Sequence, residues 1–127
     1  MKKLMIASSL LILGLQAAYA DSKVSNQYTT CMNKASNTAS MVQCVSNEMA
    51  RQDVRLNKAY NSLMLKQSEN RKQELQSVQR LWIKYRDANC KFYLDPNGGT
   101  IAQVKSANCV MNETLKRANE LENLASL

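Results

Sequence analysis

Four cysteines, Cys31, Cys44, Cys90 and Cys109, constrain this chain more than any other feature. An even set in an oxidising compartment reads as two disulfides, and four cysteines allow three pairings. The midpoint between Cys31 and Cys44 falls at Asn37 and Thr38, a polar break. The midpoint between Cys90 and Cys109 falls at Gly99 and Thr100, beside Asp95-Pro96-Asn97-Gly98-Gly99, the strongest turn signal in the chain. Local pairing, Cys31 to Cys44 and Cys90 to Cys109, would clip two hairpins, and each closed loop of about 15–20 residues contributes roughly 3 kcal/mol. Zinc is the other use for four cysteines. The absence of C-x-x-C and of any histidine argues against it.

The N-terminus supplies the compartment that disulfides need. Lys2 and Lys3 precede an uncharged, mostly apolar run from Leu4 to Ala18, and Ala18-Tyr19-Ala20 has the small residues of a processing site. This layout predicts a signal peptide over residues 1–20, cleavage after Ala20, and an exported, periplasmic domain over residues 21–127. The apolar run of about 15 residues is shorter than the roughly 20 that span a bilayer. No cysteine follows it, so a lipid anchor is not expected.

Staples matter because the core is lean. From Asp21 onward, just under a fifth of the residues are Leu, Ile, Val or Phe. A domain of this size with so little apolar volume needs cross-links to hold its fold. After the leader, glycine occurs only at Gly98 and Gly99 and proline only at Pro96, and strand alternation is absent. Apolar positions recur every three or four residues instead. The expected fold is all-α: a small disulfide-stapled helical bundle with three main helices and a short N-terminal one. The short helix spans about residues 26–36. The second spans 38–67, with Met41, Val45, Met49, Leu56, Tyr60 and Leu63 on one stripe. The third spans 71–94, with Leu75, Val78, Trp82, Tyr85, Asn89 and Phe92 facing inward and Ser68 or Asn70 as its cap. The last opens at Thr100, with Gln103 placed for a capping box, and buries a line from Ile101 through Val104, Ala107, Met111, Leu115 and Ala118 to Leu121. Asp87 to Lys91 and Glu113 to Arg117 are favourable i,i+4 pairs.

The residue inventory argues against catalysis. Without histidine, no Ser-His-Asp or Cys-His set can be assembled. Paired cysteines offer no thiolate, and Gly98-Gly99 alone is no phosphate loop. Glu48 and Asp53 lie five apart, off a common helical face, and Asp87 stands beside Arg86. Neither cofactor nor metal is expected. Lys and Arg number 17 against 10 Asp and Glu, a net charge of +7. The charges are interspersed and form no nucleic-acid arm. They fit a solvated surface or an anionic partner. The densest segment is Gln79 to Cys90, where Trp82 and Tyr85 are expected in the core and Arg86 is expected to brace another helix, with Asp53 a possible carboxylate for it.

Several of these residues form a recurrent pattern. Cys31, Cys44, Leu56-Asn57-x-x-Tyr60-x-x-Leu63, Gln79-Arg80-x-Trp82-x-x-Tyr85-Arg86-Asp87-x-x-Cys90, Gly98-Gly99-Thr100, Cys109 and Thr114-x-x-Arg117 together resemble the lysozyme-inhibitor LprI-like family. The resemblance covers nearly all of the chain after the leader. It implies an exported helical domain with paired cysteines, and as a function the inhibition of lysozyme. Leu56, Asn57, Tyr60, Gln79, Trp82, Tyr85, Arg86, Asp87, Gly98, Gly99 and Arg117 are then expected to carry the fold. The leading expectation is a periplasmic binding protein that blocks lysozyme or another peptidoglycan-degrading hydrolase by occlusion. The alternative is an envelope adaptor that binds peptidoglycan, lipopolysaccharide or a membrane-protein partner.

Overall fold

The computed structural model describes residues 23–127, so the expected leader over residues 1–20 and its cleavage point lie outside the described residues. Four helices follow in order: α1 (Asn26–Lys34), α2 (Thr38–Leu65), α3 (Glu69–Lys91) and α4 (Ile101–Ser126), with no strand among the described residues. The all-α reading stands.

Local chemistry starts and stops these helices. The Ser25 hydroxyl accepts from the Tyr28 backbone N–H and caps α1. Asn37 and Ser40 form a reciprocal capping box at α2: Asn37 Oδ1 accepts from the Ser40 N–H at 2.8 Å, and Ser40 Oγ accepts from the Asn37 N–H at 3.2 Å. Ser68 stands at the cap position of α3 without a side-chain bond, and Glu69 opens the helix two residues earlier than the pattern predicts. At α4 the expected box is not formed. Thr100 is already in a helical conformation and its side chain caps nothing. Capping needs an extended residue whose side chain can reach back to the next turn, and the Gly98-Gly99 reversal leaves Thr100 in the wrong one. Gly99 has φ +61°, a left-handed conformation that favours glycine. At Gly98 a Cβ would meet the Ala102 Cβ at 3.0 Å and the Asp95 carbonyl at 3.2 Å.

Both disulfides form as the local pairing predicts. Cys31–Cys44 ties α1 to α2 and Cys90–Cys109 ties the end of α3 to α4, with Cα separations of 5.6 and 5.4 Å. The closest helix packing is between α2 and α4. These two run parallel, because contacts advance together from Arg55–Asn119 and Arg55–Glu122 to Lys66–Ala125 at the end of α2. α3 runs antiparallel against α4, with Cys90 near Ser106, Arg86 near Thr114 and Gln79 near Arg117.

The core is correspondingly asymmetric. Leu56, Ala59 and Leu63 of α2 pack against Ala118 and Leu121 of α4, with Tyr60, Leu75, Trp82 and Ala125 closing around them. Val45, Val104 and Met111 extend the buried line. Ile101, expected at its start, is exposed, and the buried line of α4 begins at Ala102 and Val104. The larger departure is in α3. Val78, Tyr85 and Phe92 were expected inside and are exposed, and Gln79 and Cys90 are its only fully buried residues. Two adjacent stripes share the three-and-four spacing. The helix turns the one through Leu75, Gln79, Trp82 and Arg86 toward α4 and leaves the other outside.

Candidate functional site

The family-pattern residues converge on Trp82. Its ring rests half-buried against the α2–α4 core. The Arg86 guanidinium lies 5.0 Å from its centroid and that of Arg117 lies 6.0 Å away. Both distances fit cation–π attraction. Arg117 is nearly inaccessible to solvent; its Nε donates to Gln79 Oε1 at 3.0 Å and its Nη1 to Glu120 Oε2 at 2.6 Å. Arg86 Nη1 donates to Thr114 Oγ1 at 3.3 Å, and the Thr114 hydroxyl in turn donates to the Val110 carbonyl at 2.8 Å. The predicted brace from Arg86 to another helix is therefore present, but it lands on a hydroxyl of α4. Its carboxylate is the neighbouring Asp87, 2.8 Å away, which is closer at hand than Asp53. Leu56, Asn57, Tyr60, Gln79, Trp82 and Arg86 line one shallow depression between α2 and α3. Asn57 is itself exposed and donates to Asp53 Oδ2 at 3.3 Å.

Other pattern residues fall elsewhere. Tyr85 is on the outer side of α3, which corrects its expected place in the core. The Lys116 ammonium titrates above its ordinary value. Its bond to Glu113 is the main cause, and the Tyr85 and Tyr93 hydroxyls add to it. Glu113 thus pairs with Lys116 one turn away, and Arg117, turned inward, takes Gln79 and Glu120. Asp87 pairs with Arg86, where Lys91 was expected. Gly98 and Gly99 shape the α3–α4 turn.

The sequence reading missed a second polar cluster. Glu48 is wholly buried and accepts four bonds, from the Ser25 N–H (2.9 Å), Ser25 Oγ (2.6 Å), Gln52 Nε2 (2.7 Å) and Arg51 Nε (2.8 Å). Burial works to raise its pKa. The bonds from Ser25, Gln52 and Arg51 outweigh that, and the carboxyl is held down at about 2. The Tyr28 hydroxyl, shifted upward by burial and by Glu48, donates to Asn108 Oδ1 at 3.0 Å. Gln52 continues the cluster by accepting from Arg55, which grips Glu122 through two bonds of 3.1 and 2.6 Å and reaches Asn119 at 2.8 Å. The available signal was the spacing: Glu48, Gln52 and Arg55 fall on the buried stripe of α2, where a polar residue must find partners.

The chemistry of this arrangement is that of a braced scaffold. Glu48 is ionised and fully bonded, unlike a carboxyl poised to exchange a proton. Every buried side-chain nitrogen and oxygen among the described residues has a partner. Among the same residues no group of three or more acidic, Cys or His side chains could hold a metal ion, and no helix is long and apolar enough to cross a membrane. Residues 31–121, well over half of the chain, match the family model described as lysozyme inhibitor LprI. No curated protein and no solved structure matches the chain.

Proposed function

Since the chain belongs to the lysozyme inhibitor LprI family, we propose that it is an exported binding protein that inhibits lysozyme or a related peptidoglycan-degrading hydrolase. The family match over residues 31–121 carries this reading. The fold supports it. Two disulfides and two bonded polar clusters hold a surface in one shape, and a preformed surface loses little conformational freedom on binding. Inhibition on this reading is steric: the domain covers the cleft in which the hydrolase aligns its two carboxylates with the glycan. Charge narrows the target. The chain is basic, so a strongly basic lysozyme repels it, and less basic wall hydrolases are the better partners.

Export belongs to the same proposal, and N-terminal sequencing of the periplasmic form should read Asp21 first. For inhibition, the purified protein is titrated into a cell-wall lysis assay with a panel of hydrolases at two salt concentrations. Suppression at roughly stoichiometric concentration is expected for the less basic enzymes, and raising the salt to about 0.15 M should weaken inhibition of none of the basic ones. No inhibition of any member, with firm retention on sacculi or lipopolysaccharide, would replace the inhibitor by an envelope adaptor.

A further inference from the structure

The outer edge of α3 has no partner within the fold. Val78, Leu81, Tyr85 and Phe92 follow one another at intervals of three, four and seven residues, so they form a single stripe on the helix. At 1.5 Å per residue the stripe runs about 20 Å. Leu81, Tyr85 and Phe92 are 65%, 59% and 86% exposed. It continues into the α3–α4 turn through exposed Tyr93 and Leu94, where the Phe92 and Tyr93 rings meet edge to face at 6.4 Å. The Cys90–Cys109 disulfide clamps the base of this turn.

Cations flank the stripe. Lys84 and Lys91 are seven residues apart and share one side of it. Lys105, from α4, lines the same hollow as Phe92 and Leu94. Among the described residues no carboxylate pairs with Lys84, Lys91 or Lys105, whereas the nearby acids are engaged. Glu74 pairs with Arg71, Asp87 pairs with Arg86, and Asp95 accepts from the Asn97 N–H within its own turn. The surface is thus an exposed aromatic and aliphatic stripe edged by three ammonium groups without a carboxylate partner.

We propose that this stripe is a peripheral docking face for an anionic lipid bilayer, with Leu81, Tyr85, Phe92 and Leu94 at the boundary between headgroups and acyl chains and Lys84, Lys91 and Lys105 on the phosphates. Aromatic residues beside lysines are the combination that settles at a membrane interface. A second copy is a poor occupant, because it would set lysines against lysines on a chain of net charge +7. The lysines complement the phosphates of an anionic bilayer, and the exposed Leu81, Tyr85, Phe92 and Leu94 supply the apolar side that its acyl boundary takes up.

The test is co-sedimentation of the purified, disulfide-bonded chain with phosphatidylcholine vesicles, either pure or containing about one-third phosphatidylglycerol. Binding is expected only to the anionic vesicles and should weaken at high salt. K84Q/K91Q should lower the partition coefficient roughly 25-fold, and F92S/L94S by at least about tenfold. K34Q/K58Q, which removes the same charge from α1 and α2, should change it less than about threefold. All these side chains are exposed, and unchanged melting curves establish that each variant is folded. Residues 1–22 are common to every variant, so binding through them would be indifferent to the substitutions. The proposal is overturned if the wild type ignores anionic vesicles, if the α3 variants bind as the wild type does, or if K34Q/K58Q loses as much as K84Q/K91Q. A dimer that F92S/L94S dissociates, or hydrolase inhibition lost in these variants without vesicle binding, would equally overturn it and give the face to a protein.

Discussion

Arg117 donates through Nε to Gln79 Oε1 at 3.0 Å, joining α4 to α3 across 38 residues of sequence, and the same guanidinium lies 6.0 Å from the centroid of the Trp82 ring. A buried charge is tolerable only when it is paired and bonded. Here Gln79, Glu120 and the Trp82 π-face meet that need together. The three family-pattern residues Gln79, Trp82 and Arg117 are therefore one structural unit, and together with the Cys90–Cys109 disulfide it holds α3 to the rest of the domain.

Trp82→Ala should remove the main apolar anchor of α3. Because the ring is half-buried, the expected loss is about 2–4 kcal/mol, below that of a fully enclosed tryptophan. Urea unfolding followed by circular dichroism measures it. A melting curve identical to wild type would mean that α3 is held elsewhere.

Arg117→Ala and Gln79→Ala should each destabilise the fold by about 1–3 kcal/mol, the cost of a buried polar group left without its partner. Their effects should not add. A double-mutant cycle is expected to give a coupling energy of at least about 0.5 kcal/mol, and strict additivity would show that the observed bond contributes nothing.

Acid should weaken the domain through Glu48. Its folded pKa, about 2, lies below the ordinary 4.5, so its contribution is fully present above about pH 4.5 and is lost as pH falls from there through about 2. The contribution is on the order of 3 kcal/mol. Glu48→Gln should be less stable at neutral pH and should show a flatter stability profile over that window. An unchanged profile would locate the acid sensitivity in other carboxylates.

The α3–α4 turn should resist substitution at both glycines. Gly99→Ala forces a Cβ into a left-handed conformation, and Gly98→Ala presses one against Ala102 and Asp95. Each is expected to cost about 1–2 kcal/mol in thermal or denaturant unfolding. Tolerance of alanine at either site would show that the turn relaxes without loss.

Opening either disulfide should cost about 3 kcal/mol, since the closed loops are of similar size. Paired Cys→Ala variants, Cys31 with Cys44 and Cys90 with Cys109, provide the comparison. Non-reducing peptide mapping should recover only those two cross-links.

Much of this fold was legible before any coordinates. The cysteine midpoints fell on polar breaks, and a break between two helices forces them to reverse and brings the flanking cysteines together, so both pairings followed from local sequence. The helices of α2 and α4 were equally plain, because their apolar positions mark one stripe each and both stripes are buried. What tertiary structure alone decided was the rotation of α3. Leu75, Val78, Trp82 and Tyr85 obey a three-and-four spacing that two adjacent helix faces satisfy alike, and periodicity cannot choose between faces separated by one residue. The packing of Trp82 and Arg117 chose, sending Gln79 inward and Tyr85 and Phe92 out. Partner choice among charges was likewise a matter of distance in space. Glu48 found Ser25, 23 residues away, and Arg86 found Thr114, 28 residues away, because helix packing set these groups side by side, while Gln52, Arg51 and Asp87 complete the same bonds from within the helices.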